Sequence, residues 1–322
     1  MAALSDIHLS TVLSHHLLFN QTVSETASEN MIIIVASILS LLASCDGFSA
    51  TTPSITTLLE NHSSQILSLK TVAEKYDSAP KDDDIFYLRY CIDSTSDEDT
   101  ISKLKSNLQW REGEGKDICT AAAKAIEEAT ANGPWNNDPV RDMAPNAEII
   151  NKYITPTQCL TTTVNSGDLC YCIRAGKIDD AGLMDAVSLK QMTDFFLYCK
   201  EVNARIANSR SVTSDRMVSL LTANDLSGVK LIGGSADFRK ALSEASTKAN
   251  ELYPNLAGTT FLLNLPRIMS ALVKLFTPLF PDEVRKKLKF ERGPLKDVVT
   301  LLEISSGEAR EKFLEDIDNM ME

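Results

Sequence analysis

One stretch near the C-terminus, residues 253–290, limits the folds open to this chain more than any other feature. It reads YPNLAGTTFLLNLPRIMSALVKLFTPLFPDEVRKKLKF. The run at residues 260–263 does not alternate apolar with polar side chains, which predicts a strand buried on both faces. The helical run that follows, residues 268–280, carries Lys274 as its only charge. Such a helix is buried, or it faces an apolar molecule that is not protein.

Strand-like and helical segments alternate over the second half of the chain. We predict strands at residues 169–174, 217–223, 259–263 and 286–290, with helices between them at residues 188–207, 238–252 and 268–280. Because parallel neighbours need crossover connections, this order predicts an α/β fold with a mostly parallel sheet flanked by helices. Residues 228–234, GVKLIGG, match neither a dinucleotide-binding nor a phosphate-binding loop, so a nucleotide-dependent enzyme is the weaker α/β alternative.

The residue types present argue against several kinds of chemistry. The formal net charge of −12 has the wrong sign for a protein whose main partner is nucleic acid. All four histidines lie at or before His62, so the α/β part lacks a His base and a His metal ligand. We therefore expect no catalysis, no metal and no cofactor there. The seven cysteines include no CxxC pair, and we expect small buried thiols.

The N-terminal part has the pattern of a targeting sequence. Residues 31–43, MIIIVASILSLLA, are too short for a comfortable membrane span, which needs ~20 apolar residues, but fit the apolar region of a signal peptide. That position suits a start at Met31 better than one at Met1. The signal-like segment, residues 31–48, and the Ser/Thr-rich run after it resemble the bipartite presequences of algae with complex plastids. We expect residues 1–77 to be a presequence or disordered region that directs the protein to a plastid; the alternative is a cytoplasmic protein peripheral to membranes.

Helical spacing predicts a small lobe ahead of the α/β part, at residues 78–131. Apolar side chains recur at helical intervals from Ile85 to Ile92 and again from Ile101 to Trp110. An acidic break separates the two runs, and residues 97–100 offer helix caps. An Ala-rich helix follows.

These segments together resemble the CRAL-TRIO family of lipid-binding and lipid-transfer proteins. The family order of Tyr-Pro, Gly, apolar strand, Asn-x-Pro, apolar helix, Pro and basic strand is met by Tyr253-Pro254, Gly258, residues 261–263, Asn264-Leu265-Pro266, residues 272–276, Pro278 and residues 285–288. The segments LCYCIRAGKIDDAGLM and LLTANDLSG are similar to the family's first two strands and their loops. FYLRYCI and LQWRE, with Trp110-Arg111, are similar to the helical segment that precedes its domain.

The resemblance implies a non-enzymatic domain at residues 132–296, with an apolar cavity floored by the sheet and closed by a mobile helix at residues 268–280. A single phospholipid or other hydrophobic ligand would be held there and exchanged at membranes by a monomer. Removing apolar ligand surface from water gains ~25 cal/mol per Å². The candidate cavity and gate residues are Tyr171, Arg174, Leu220, Thr222, Glu244, Phe261, Leu263, Ile268, Leu272, Phe276 and Thr277.

The two residues at the positions that bind the lipid headgroup differ in part from those of the family's phosphatidylinositol-binding members. In its phosphatidylinositol-binding members, a Glu before Tyr-Pro pairs with a Lys just before the Pro that ends the gate. Here Glu244 holds the first position, but Thr277 holds the second, and Lys274 lies one helical turn away. This disfavours inositol-phosphate recognition and leaves open a zwitterionic phospholipid, an isoprenoid or a pigment-like hydrophobe.

A basic cluster directly follows the gate in this acidic chain. It consists of Arg285, Lys286, Lys287 and Lys289. Each Lys or Arg near an anionic surface contributes ~1 kcal/mol, so the cluster can make transient contact with a membrane. The alternative is a solvated strand edge, where positive charges block unwanted strand pairing.

The last segment, residues 297–322, has the pattern of an acidic amphipathic helix. The family usually ends differently. This segment supports the alternative function: a scaffold or signalling module that carries no lipid and uses the acidic helix to bind protein.

Overall fold

The computed structural model describes residues 53–94, 96–132, 136–155, 159–163, 169–228, 234–264, 288–291 and 315. For residues 159–163, 169–172 and 175 it describes the backbone alone. The signal-like segment, the predicted gate and most of the acidic C-terminal segment lie outside these residues.

The first part of the described chain is helical. Its helices are α1 (Ile55–Asn61), α2 (Ser63–Ala73), α3 (Asp84–Asp93), α4 (Asp97–Glu112), α5 (Lys116–Thr130), α6 (Asp138–Asp142) and α7 (Ala147–Ile150). Side chains of Ser54, Asp83 and Ser96 accept hydrogen bonds from the first turns of α1, α3 and α4, as good N-cap residues do. The predicted helical lobe is therefore present.

The folded lobe begins earlier than the predicted boundary at residue 77. Ile55, Ile66 and Leu69 are buried in one apolar cluster with Leu104 and Leu108 of α4. Residues 1–77, expected to be a presequence or disordered region, thus include α1 and α2, where apolar side chains do recur at helical spacing. Helices this short are marginal by themselves, and their packing on α3 and α4 stabilises them.

The second part is a five-stranded sheet with helices packed on it. Its elements are β1 (Cys159–Thr163), β2 (Leu169–Arg174), α8 (Asp180–Ala186), α9 (Leu189–Ser214), β3 (Leu220–Asp225), α10 (Ala236–Leu252), β4 (Ala257–Leu263) and β5 (Leu288–Glu291). The strand order is β1-β2-β3-β4-β5, with β1 antiparallel to β2 and the other neighbours parallel. The predicted α/β class with a mostly parallel sheet is confirmed.

Two strand predictions differ from the structure for identifiable reasons. The Thr-rich segment of β1 was not predicted, because it lacks an apolar pattern and forms by antiparallel pairing with β2. Strand β3 begins at Leu220 rather than at residue 217. Met217 instead packs in the lobe cluster, and the Val218 carbonyl accepts a hydrogen bond from Arg89, so neither residue joins the ladder.

A buried ion pair joins the lobe to the α/β part. The Arg111 guanidinium of α4 donates two hydrogen bonds, of 2.8 and 2.7 Å, to the two carboxylate oxygens of Glu201 on α9. Arg205 Nε donates a third at 2.6 Å. Glu201 is fully buried, and burial by itself raises a carboxyl pKa, but the two guanidiniums outweigh it and hold the pKa of Glu201 well below its usual range.

Arg89 of α3 makes a second buried connection between the lobe and the α/β part. Its guanidinium donates to Asn208 Oδ1 at 2.7 Å, to the Asn255 carbonyl at 2.6 Å and to the Val218 carbonyl at 2.8 Å. The Asn255 side-chain amide returns a hydrogen bond to the Arg89 carbonyl at 3.1 Å. The Tyr-Pro-Asn turn that leads into β4 is thereby fixed to the lobe.

Glu201→Gln should reduce the free energy of unfolding by about 3–5 kcal/mol at neutral pH, because it leaves the buried Arg111 without its counter-charge. Urea denaturation of the full chain measures the effect. Asp194→Asn is the matched control: Asp194 is on the same helix but pairs with the exposed Lys190, and such pairs contribute about 0–1 kcal/mol.

The same pair predicts the sign of a pH effect. Because the pKa of Glu201 is lowered by folding, its contribution is complete above the ordinary carboxyl value of 4.5 and is lost as pH falls below it. The stability difference between wild type and Glu201→Gln should therefore shrink in acid. A difference that stays constant down to pH values where carboxylates protonate would contradict this account.

Candidate functional site

The carboxyl end of β3 is tied to the point where the chain leaves β4. Asp225 is buried, and its Oδ1 accepts hydrogen bonds from the Ser227 N–H at 3.0 Å, the Ser227 hydroxyl at 2.7 Å and Asn264 Nδ2 at 3.0 Å. The Asn264 N–H donates to the Glu291 carbonyl at 3.2 Å. Asn264 has φ of 52°, which asparagine tolerates better than most residues. The strands thus fix the start of the segment that contains the predicted gate.

Helices α9 and α10 face one side of the sheet, which we call the helix-side face. Leu220, Thr222 and Thr260 lie on it, since Thr222 pairs with Thr260 across the ladder and side chains alternate along a strand. Between this face and the two helices lies a cavity of about 20 Å³, room for about one water molecule. It is lined by Lys200, Leu220, Thr222, Ser246, Ala249, Asn250, Tyr253, Leu256, Ala257, Gly258 and Thr260.

Gly258 permits the close approach of β4 to β3 beside this cavity. A Cβ atom there would lie 2.6 Å from the Ser219 hydroxyl oxygen and 3.1 Å from the Leu220 carbonyl. Backbone atoms cannot move aside as a flexible side chain can. The glycine of the Tyr-Pro…Gly sequence therefore has a packing role in this chain.

The other side of the sheet, which we call the opposite face, is more apolar. Ala223 pairs with Phe261 and Asp225 with Leu263, so these side chains share a face with Leu221. Leu221, Ala223, Phe261 and Leu263 are all buried. Within the described residues, none of them belongs to the apolar cluster that contains α9 and α10.

The predicted cavity residues are divided between these two faces. Leu220 and Thr222 lie on the helix-side face, whereas Phe261 and Leu263 lie on the opposite face. The sequence did not show this division, because the run at residues 260–263 is apolar on both faces. Tyr171 pairs with Thr222 in the ladder, with only its backbone described, and Arg174 ends β2 and is partly exposed.

The proposed headgroup residue Glu244 is exposed on α10. Its carboxylate lies 3.9 Å from Lys240 one turn earlier, and its side chain keeps 48% of its surface in solvent. Thr277, Ile268, Leu272 and Phe276 lie outside the described residues, as do Arg285, Lys286 and Lys287. Lys289, the remaining member of the basic cluster, is exposed on β5 beside the exposed Phe290.

Among the polar residues of the cavity, sequence reasoning missed Lys200, Ser246, Asn250 and Thr260. Lys200 could have been found, because it continues the apolar stripe of α9 that begins at Met192 and Phe196, where a lysine is unexpected. No sequence signal distinguishes Ser246 and Thr260 from ordinary packing residues.

The part of the chain that the structure describes contains no group of His, Cys, Asp and Glu side chains that could hold a metal ion. None of the helices described is both long enough and apolar enough to cross a bilayer.

Comparison with known proteins identifies the domain. The family model described as the CRAL/TRIO domain matches residues 157–303, a range that contains all five strands together with α9 and α10. Residues 157–303 therefore match the CRAL-TRIO family, and the resemblance seen in the sequence is confirmed. Proteins of this family in general bind or transfer lipids and are not enzymes.

Comparison with individual proteins gives one structural similarity at low sequence identity. A solved structure described as "Crystal structure of Sfh5" is similar over 80% of this chain and 96% of that chain, with 14% sequence identity and a TM-score of 0.45. None of the curated proteins compared with the chain matches it.

Asp225→Ala should loosen the start of the gate segment. Removing the carboxylate takes away the acceptor of three hydrogen bonds from Ser227 and Asn264, at a cost of about 1–3 kcal/mol in the free energy of unfolding. Hydrogen exchange should accelerate at the Leu226 and Asn264 amides, which bind the Leu263 and Glu291 carbonyls. Glu251→Ala, at an exposed position near the end of α10, is the control and should change neither measurement.

Proposed function

We propose that this protein binds one lipid against the helix-side face of its sheet and transfers it between membranes. The observation that carries the proposal is that the CRAL/TRIO match covers the sheet and the two helices that enclose the polar-lined cavity. Apolar and polar groups meet there: Leu220 and Leu256 line one part, and Thr222 and Thr260 another. That mixture suits a molecule with one apolar and one polar end.

The rest of the lipid site is proposed to come from the segment that follows β4. Ligand pockets usually measure ~300–1,000 Å³, far more than the water-sized cavity between α9, α10 and the sheet. Residues 268–280 are apolar almost throughout and begin four residues after the anchored Asn264. In this proposal they cover the apolar part of the lipid, and Pro278 allows the helix to bend as it opens.

Exchange at a membrane is proposed to use the basic cluster. Lys289 and Phe290 are exposed on β5, so one positive and one apolar side chain already face solvent there. With Arg285, Lys286 and Lys287 close by in the sequence, the cluster suits an anionic surface. Plastid targeting through residues 31–48 stays a prediction.

Thr222→Phe tests the lipid site. The larger side chain should fill the space above the sheet and lower lipid loading at least about tenfold, while Thr222, being only partly buried, leaves room for folding. The full chain is incubated with mixed phospholipid vesicles, re-purified and examined by native mass spectrometry. Thr247→Phe makes the same change at an exposed position of α10 and should load like wild type.

The wild-type result distinguishes the two functions considered for this chain. One bound lipid per protein supports the proposal. A wild-type protein that stays free of lipid contradicts it and favours the scaffold alternative, in which the acidic segment at residues 297–322 binds protein.

The triple variant Lys286→Gln, Lys287→Gln and Lys289→Gln should weaken binding to anionic vesicles. At ~1 kcal/mol for each lysine, the loss is on the order of 100-fold, and it should disappear at high salt. Vesicle sedimentation measures it. Lys116→Gln, Lys124→Gln and Lys152→Gln remove the same charge elsewhere and serve as the control; an equal loss in both variants would show that only net charge matters.

A further inference from the structure

The cavity on the helix-side face contains a lysine without a counter-charge. Lys200 lies on α9 next to Glu201, but Glu201 is taken up by Arg111 and Arg205. Among the described residues, the Lys200 ammonium has neither a hydrogen-bond partner nor an ion-pair partner. The described residues that line the cavity include no Asp or Glu.

This arrangement differs from that of two fully buried basic side chains in the same helical layer. Arg111 has Glu201, and Arg89 has three oxygen acceptors. Lys200 is only partly buried, but holding even part of an unpaired charge out of water is costly, and desolvation lowers the pKa of Lys200. An anion that entered the cavity would remove this cost.

The neighbours of Lys200 can donate further hydrogen bonds to such an anion. Thr222, Ser246 and Thr260 line the cavity with Lys200, and each carries a hydroxyl group that can donate a hydrogen bond. One ammonium with several hydroxyl donors suits the oxygens of a phosphate or carboxylate group. The space of about 20 Å³ admits one terminal oxygen rather than a whole headgroup.

We propose that Lys200 recognises an anionic oxygen group, phosphate or carboxylate, and that it gives the lipid site a preference for anionic over zwitterionic lipids. The preference for anionic lipids rests on the proposed lipid-binding function, and it names the class of ligand for that same site. A zwitterionic headgroup brings its own ammonium, for which the lining has no acidic partner. A lipid such as phosphatidic acid brings only the negative charge.

The experiment compares four forms of the full chain: wild type, Lys200→Met, Lys200→Arg and Lys190→Met. Each is incubated with vesicles of equal parts phosphatidic acid and phosphatidylcholine, and bound lipids are counted by native mass spectrometry. Wild type should prefer phosphatidic acid about tenfold or more. Lys200→Met should lose that preference but still load lipid, and Lys200→Arg should keep most of it.

Lys190→Met is the matched control, because Lys190 is on the same helix, with 72% of its side chain exposed and Asp194 as its partner. It should behave as wild type. Lys200→Met removes an unpaired charge, so its melting temperature should not fall. Lys200→Gln provides a second neutral variant if the methionine does not fold.

Titration with inorganic phosphate, without vesicles, separates the two sources of the anion. A rise in melting temperature for wild type that Lys200→Met lacks would show that free phosphate is enough. No rise, with the lipid preference present, would assign the anion to the lipid headgroup. Both results support the cationic subsite.

Two results would overturn the inference. If wild type and Lys200→Met load the two lipids in the same ratio, Lys200 has no role in lipid selection, although lipid binding stands. If wild type loads no lipid and phosphate has no effect, both proposals fail. If wild type loads no lipid but phosphate stabilises it through Lys200, only the lipid function fails.

Discussion

The buried pairing of Arg111 with Glu201 is the constraint on which the arrangement of this protein depends. It places a charged side chain of the lobe against the middle of α9, with both oxygens of the carboxylate satisfied. Arg89 adds hydrogen bonds to the backbone carbonyls of Val218, which precedes β3, and Asn255, which precedes β4. Because an unpaired buried charge is so costly, the lobe and the α/β part are held in one relative position.

The relative position of the lobe and the α/β part determines how β4, which forms part of the candidate site, is held. The turn at Asn255 leads directly into β4, and β4 ends at Asn264, which Asp225 holds in place. Both ends of the strand are therefore fixed by polar contacts, one to the lobe and one to the end of β3. A strand held at both ends gives the candidate site a rigid floor.

Much of the fold could be read from the sequence because the relevant signals are local. Apolar spacing predicted α3, α4, α9 and α10, and the apolar run of β4 predicted a buried strand. Strand β1 was not predicted from the sequence, since its stability comes from pairing with β2. Of the residues that line the cavity, Leu220 and Thr222 were among those predicted, but Lys200 was not, because its significance comes from the lack of an Asp or Glu in the described lining rather than from its neighbours along the chain.

The sequence by itself determined the α/β class and the family of the domain at residues 157–303, because these follow from the periodicity of apolar residues and from the Tyr-Pro, Gly and Asn-x-Pro spacing. Only the tertiary structure decided that Leu220 and Phe261 lie on different faces of the sheet and that Lys200 lines a cavity with three hydroxyl-bearing residues and no Asp or Glu among the described lining. The register between the strands determines the first arrangement, and the packing of α9 on the sheet determines the second. Both are contacts between residues far apart in the chain, which no local pattern encodes.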